Sequence, residues 1–258
     1  MLSKITKLIS KKNKSKIICL TAYSKNVAEE LDNYADLILV GDSLGSVLYN
    51  YKSTRNVTLD TMIAHSKSVR LGINKSLMIV DMPYNTYRNK KEALKNCKTV
   101  IKETNCDGVK LEGGIKIKNL IDYLTDNKIP VMGHIGILPQ LVRGKFKSKG
   151  KSEKEKKQLM KDAIFLEKAG CFAIVLECIE KNLSNKITKA IKIPTIGIGS
   201  SNYCDGQILV TDDLLGLTNS KIRFVKKYVD LKKYIRIAVK KFRSEVINKK
   251  YPNKKYSY

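Results

Sequence analysis

The stretch LILVGDSLGSVL, residues 37–48, opens with four apolar residues and then sets a carboxylate and a hydroxyl, Asp42 and Ser43, between Gly41 and Gly45. An apolar run without polar alternation reads as a strand buried on both faces, the kind that belongs to parallel sheets. The same pattern recurs in KIICLTAY (16–23), SLMIVDMPY (76–84), DGVKLEGG (107–114), IPVMGHIG (129–136), CFAIVLEC (171–178), IPTIGIGS (193–200) and GQILVTDD (206–213). Between most of these runs lie amphipathic stretches of helical period, over 26–34, 59–71, 90–103, 115–125 and 153–169. Strand and helix alternating about eight times predict an α/β fold, a (βα)8 TIM barrel, with a doubly wound open sheet as the alternative.

Length and composition bound the function. At 258 residues and 43 % apolar content, the chain suits one barrel domain over 1–258, with an N-terminal helix and a tail expected to be disordered from about residue 249. No apolar run approaches the roughly 20 residues of a membrane helix. The opening MLSKITKLISKKNKSK lacks the apolar stretch and cleavage site of a signal peptide, and reads as a cationic helix leaning on the domain rather than a targeting helix. The six cysteines form no C-x-x-C pair, so a reduced, cytoplasmic protein is expected. The net charge of +26 comes mainly from lysines scattered over every segment, in a chain also rich in Ile and Asn. A nucleic-acid binder would concentrate its basic residues in a patch, so nucleic acid is not the expected partner.

The residues that close each apolar run carry the chemistry. In order they are Thr21 and Tyr23; Asp42 and Ser43; Asp81; Lys110 and Glu112; His134; Glu177; Ser200; and Thr211 with Asp212. In a (βα)8 barrel these ends converge on the face that holds the active site. One such residue alone would read as a helix N-cap. Lys110 and Glu112, however, fall on the same face of one strand by alternation. Several acids at separate strand ends with one lysine among them leave unpaired like charge unless a cation or substrate sits between. Carboxylates without thiolates or clustered histidines suit Mg²⁺, which takes one or two protein carboxylates, and Asp42 and Asp81 are the ligand candidates. A 2-oxo acid bound through its carboxylate and keto oxygen would be acidified at the neighbouring carbon. His134 reads either as a pocket residue or as a buried histidine satisfied by a carbonyl, and His65 as surface or packing.

The segments TAYS (21–24), VGDSLG (40–45), VKLEGG (109–114), GHIGILPQ (133–140), LEKAG (166–170), VLEC (175–178), IPTIGIGS (193–200) and DGQILV (205–210) resemble the ketopantoate hydroxymethyltransferase family, in family order up to about Leu217. AHSKSVRLG and IVDMPY, upstream of VKLEGG, fit as well. The resemblance implies a barrel of the phosphoenolpyruvate/pyruvate type, assembled as a homodecamer. It implies transfer of a hydroxymethyl group from 5,10-methylenetetrahydrofolate to 3-methyl-2-oxobutanoate, giving 2-dehydropantoate in pantothenate biosynthesis. It further implies that Asp42 and Asp81 hold Mg²⁺, with Glu112 as a further ligand or an acid behind them. Asp42, Ser43, Asp81 and Lys110 would contact the keto acid, and Glu177 would be the proton acceptor.

The chain departs from the family at RGKFKSKGKS (143–152), which replaces a loop of the form G-G-[FY]-K-V-Q-G and loses its paired glycines. No functional residue is carried onto this loop, and weaker folate binding is the expectation. The alternatives to the family's reaction are another Mg²⁺-dependent 2-oxo acid lyase or aldolase of the same superfamily, and a basic barrel that binds RNA while its site survives as a relic.

Overall fold

The structure, a computed structural model, describes residues 3–142 and 147–258. The chain forms two compact units, Met1–Val210 and Thr211–Tyr258.

The first unit is a closed parallel barrel, and the open-sheet alternative is set aside. Its strands are β1 (Ile17–Thr21), β2 (Leu37–Val40), β3 (Leu77–Asp81), β4 (Gly108–Glu112), β5 (Val131–Gly136), β6 (Ala173–Glu177), β7 (Thr195–Ile198) and β8 (Gly206–Leu209), paired in chain order with β8 back on β1. Helix α1 (Lys4–Ile9) precedes β1, and α2 (Lys25–Leu31) links β1 to β2. Helices α3 (Leu44–Leu48) and α4 (Leu59–Arg70) lead to β3, then α5 (Lys90–Thr104), α6 (Lys118–Asp126), α7 (Glu153–Lys168) and α8 (Lys181–Ala190) fill the next four crossovers. Side chains that start these helices cap them: Thr58 accepts from Thr61 N, Asn89 from Glu92 N and Ser152 from Glu155 N.

Alternation along the strands divides the core into two layers. Leu37 and Leu39, Leu77 and Ile79, Met132, Ala173 and Val175, and Ile196 fill the barrel interior. Their neighbours Ile38, Val40, Met78, Val80, Val109, Leu111, Ile174 and Leu176 pack outward with the helices. At the strand starts the lysines of the first segment find partners. Lys4 Nζ donates to Ser76 O, Lys12 Nζ to Asp205 Oδ2 and Thr188 O, and Lys16 Nζ to Cys204 O, while Leu8 of α1 joins the interior cluster. The N-terminal segment thus closes the bottom of the barrel, as the sequence reading of a cationic helix on the domain expects.

The second unit holds α9 (Thr211–Leu214) and α10 (Leu231–Ile247), joined by Tyr228 N to Leu214 O and Leu231 N to Leu215 O. No residue of α10 is buried, and Tyr234, Ile237, Val239 and Phe242 are exposed. Residues 251–258 carry turns and bends only. Among the described residues no helix is long and apolar enough to cross a membrane.

Candidate active site

The alternation that fills the lower barrel with apolar side chains carries polar ones to its rim. β3 turns Leu77, Ile79 and then Asp81 inward; β4 supplies Lys110 and Glu112, β5 Met132 and then His134, and β6 Ala173, Val175 and then Glu177. Asp42 follows β2 directly. Between them Gly41 leaves room for the Ser43 hydroxyl, which a Cβ at that position would approach to 2.8 Å. The acid between two glycines therefore ends its strand at the centre of the site.

The side chains meet as one cluster. Asp42 N donates to Asp81 Oδ2 at 3.1 Å, which sets the two carboxylates side by side. Lys110 Nζ lies 2.9 Å from Asp81 Oδ1 and 3.2 Å from His134 Nδ1. The Asp81 contact is one of charge, since its angle is not that of a hydrogen bond, and Oδ1 is a buried oxygen without a hydrogen-bond partner. On its other side His134 places Nε2 3.2 Å from Glu177 Oε2, again close but off the hydrogen-bond direction. Glu112 Oε1 stands 3.6 Å from His134 Nδ1. Ser43 Oγ hydrogen-bonds Tyr23 Oη at 2.9 Å beside Asp42.

Burial and charge set the protonation states. Burial, reinforced by the neighbouring Asp81, pushes the Asp42 carboxyl up to about 7, with Lys110 and the Gln140 amide opposing. Burial also raises Glu112 well above the ordinary carboxylate value. For Lys110 burial alone would favour the neutral amine, but Asp81, Glu112 and Asp42 outweigh it and hold the ammonium. His134 is lowered by burial and by Lys110, so its ring is neutral. A neutral ring facing an ammonium must accept at Nδ1, which places the ring hydrogen on Nε2, toward Glu177.

Among the described residues no group of three or more His, Cys, Asp or Glu forms a ready-made metal cage. The donor set is nevertheless that of a hard cation, which takes one or two carboxylates and completes its shell with water and substrate oxygens. Asp42 and Asp81 are the pair tied together by the Asp42 N–H, and Asp81 Oδ1, with only the Lys110 ammonium beside it, retains capacity for a cation.

The sequence reading singled out Asp42, Ser43, Asp81, Lys110, Glu112, His134 and Glu177, and the fold brings these side chains to one end of the barrel. Ser200 goes elsewhere: its hydroxyl bonds Ile179 O and Ser184 Oγ, joining the end of β7 to α8. His65 is the packing residue it was read as, held by Tyr23 O at 2.7 Å and Tyr49 Oη at 2.9 Å. Arg143 to Phe146 of the divergent loop lie outside the described residues; beyond them, Lys149 pairs through its backbone with Cys178 and Glu180. The residue that spacing did not mark is Gln140, 1 % exposed, whose side-chain amide donates to Asp42 Oδ2 at 2.8 Å and whose backbone N–H donates to Glu112 Oε2 at 3.0 Å.

A closed eightfold parallel barrel with acids and one lysine at the C-terminal ends of its strands is a TIM barrel with its polar cluster on the face where such barrels carry active sites. Solved structures agree on the fold. A putative phosphonomutase from Burkholderia cenocepacia superposes with a TM-score of 0.66 at 11 % identity, over 83 % of this chain and 95 % of the other. Phosphonopyruvate hydrolase, in a complex with oxalate and Mg²⁺, superposes with a TM-score of 0.57 at 13 % identity, over 96 % and 87 %.

Sequence narrows the class. A profile described as ketopantoate hydroxymethyltransferase matches residues 3–254, and the chain belongs to that family. A protein of Pelagibacter ubique named 3-methyl-2-oxobutanoate hydroxymethyltransferase is 59 % identical over 258 residues, the whole of both chains. Proteins of the same name from Rhizobium etli and Anaplasma marginale are 48 % and 44 % identical, covering 92 % and 100 % of this chain and 88 % and 94 % of their own. The chain is therefore an enzyme, a hydroxymethyltransferase.

Proposed function

We propose that this enzyme transfers a hydroxymethyl group from 5,10-methylenetetrahydrofolate to 3-methyl-2-oxobutanoate, giving 2-dehydropantoate for pantothenate biosynthesis. The observation that carries the reading is the cluster of Asp42, Asp81, Glu112 and Glu177 around the single ammonium of Lys110, with a neutral His134 between. That excess of acid favours a divalent cation with an anionic substrate bridging to Lys110. The relatives' names support the choice of keto acid.

Mg²⁺ is the cation proposed, on Asp42 and Asp81, with Glu112 as a further carboxylate. When bound it would draw electron density from the keto oxygen and so acidify the adjacent C–H. The chain's own groups do the rest. Lys110 and Ser43 orient the keto acid, and the Lys110 ammonium faces the charge that develops on it. Glu177, with 15 % of its side chain exposed, takes the C3 proton as general base. His134, with its ring hydrogen on Nε2, keeps a neutral donor 3.2 Å from that carboxylate. Water converts the folate methylene to formaldehyde and tetrahydrofolate, and the carbon nucleophile adds to the formaldehyde carbon, whose oxygen takes up a proton to become the new hydroxyl of 2-dehydropantoate.

A cleft of about 370 Å³ beside the end of β5, bordered by Ile137, Leu141, Lys147 and Lys149, offers apolar walls for a flat aromatic ring and ammonium groups for an anionic tail, two features that a folate has. The exposed apolar side chains of α10 support a homo-oligomer of this chain, for which the family resemblance implies a decamer. The six cysteines are free thiols, five of them buried, which supports a reducing, cytoplasmic setting. The test is NMR of C3 proton–deuteron exchange in 3-methyl-2-oxobutanoate. Mg²⁺-dependent exchange that proceeds to 2-dehydropantoate on addition of methylenetetrahydrofolate is the expected result; absence of exchange overturns the reading.

A further inference from the structure

Gln140 lies four residues beyond β5, outside every strand and helix, yet it is 1 % exposed and all of its polar atoms are engaged. Its Nε2 donates to Asp42 Oδ2 at 2.8 Å and to Met82 O at 3.0 Å. Its backbone N–H donates to Glu112 Oε2 at 3.0 Å. One residue of a loop thus holds two acids from separate strand ends, Asp42 after β2 and Glu112 on β4.

Two further contacts fix Gln140 itself. Tyr87 Oη donates to Gln140 Oε1 at 2.6 Å, and Arg55 Nε donates to Gln140 O at 2.6 Å while its guanidinium lies 4.7 Å over the Tyr84 ring. The amide has only one workable orientation. Flipped, its oxygen would face a carboxylate and a carbonyl, both acceptors, and its NH₂ would face the Tyr87 hydroxyl. Asp42 and Met82 O therefore keep the donor end of the amide on Asp42, and Tyr87 anchors its oxygen.

We propose that Gln140 is a positioning residue for the cation site: by engaging one oxygen of Asp42 and one of Glu112 it sets how these carboxylates are presented to the divalent cation, and Tyr87 anchors it for that task. The inference rests on the Mg²⁺ reading above. A ligand carboxylate that is held by a donor gives up no conformational freedom when the cation arrives, and removing such a donor typically costs about 10- to 100-fold in metal affinity. Gln140 touches neither the reacting carbon nor its proton, so its effect is on the cation and not on the proton transfer.

The experiment titrates Mn²⁺ alone into the wild-type enzyme, Gln140→Met, Tyr87→Phe and Asp81→Ala, with free Mn²⁺ read by EPR and Tm measured without metal. Gln140→Met is expected to weaken Mn²⁺ binding by about 10-fold or more. Tyr87→Phe, which leaves the amide on Asp42 but removes the donor that anchors its oxygen, is expected to weaken it several-fold with Tm lowered by only a few degrees, and raising Mg²⁺ is expected to restore its activity. Mn²⁺ affinity equal to wild type in Tyr87→Phe and in folded Gln140→Met overturns the proposal. If Gln140→Met does not fold, Tyr87→Phe decides alone. Failure of the wild type to bind Mn²⁺, or full binding by Asp81→Ala, instead overturns the cation reading on which the proposal rests.

Discussion

Lys110 Nζ donates to Nδ1 of His134 at 3.2 Å, and that single bond orders the proton chemistry of the rim. The ammonium occupies the ring nitrogen that would otherwise be free to carry hydrogen, so the hydrogen sits on Nε2, 3.2 Å from Glu177 Oε2. His134→Gln is expected to lower the rate of C3 exchange by about 10-fold while leaving keto acid affinity within about 2-fold, because the base loses its orienting neighbour but not its carboxylate. Exchange followed by NMR at saturating keto acid checks it, and an unchanged rate would return His134 to a packing role.

Asp81 and Glu177 separate binding from chemistry. Asp81 faces the Lys110 ammonium and accepts from Asp42 N, whereas Glu177 stands beyond His134 at the more accessible edge. Asp81→Ala is expected to abolish metal-dependent binding of the keto acid in calorimetry. Glu177→Gln should retain that binding and lose C3 exchange by at least about 10²-fold, the usual size of a general base's contribution. Full activity in either variant contradicts its assigned role.

Far from the site, Lys12 and Asp205 form an ion pair at 2.7 Å with side chains only 8 % and 5 % exposed. Asp205 Oδ2 also accepts from Thr195 N and Oγ1, and Lys12 reaches Thr188 O, so the pair ties the N-terminal segment to β7 and α8. Lys12→Met leaves a buried carboxylate without its cation, at a cost of about 3 kcal/mol. For a chain of this size that corresponds to a fall in Tm of roughly 6–12 °C. Thermal scans at neutral pH measure it, and keto acid exchange at 25 °C is expected to stay near wild type because the pair lies at the opposite end of the barrel.

The fold was legible because burial on both faces leaves a mark that short windows detect: most strands are apolar runs, and the inward sets of β3, β4, β5 and β6 end in Asp81, Glu112, His134 and Glu177. Lys110 and Glu112 were legible through alternation alone. Local reading failed where a distant partner decides. The helix expected from Ile115 opens as a 3-10 turn over Ile115–Ile117, whose first N–H is taken by Asp162 of α7, and becomes an α-helix only at Lys118. Gln140 sits in a loop with no period, and nothing in GHIGILPQ says that its amide meets Asp42 from a different strand end. The lysines of the first segment looked like generic surface charge, whereas Lys4, Lys12 and Lys16 each meet an acceptor near the start of a distant strand.

Asp32 gives the pH dependence its clearest local source. Its carboxylate accepts from Asn74 N at 2.9 Å, Lys75 N at 2.9 Å and Ser76 N at 2.8 Å, binding the end of α2 to the turn before β3. Burial by itself would raise this carboxyl, but the N–H groups of Ser76, Lys75 and Asn74 outweigh burial and hold it below the ordinary value. With the folded pKa below the unfolded value of about 3.9, the unfolded chain binds more protons in the window between the two. The contribution is thus fully present above the unfolded value and is lost as pH falls through the folded one. Asp32→Asn removes the charge from these hydrogen bonds and is expected to cost about 2 kcal/mol at pH 7. The difference in stability between wild type and variant should shrink as urea denaturation is repeated from pH 5 to pH 3, and a difference that stays constant or widens toward low pH would contradict the assignment.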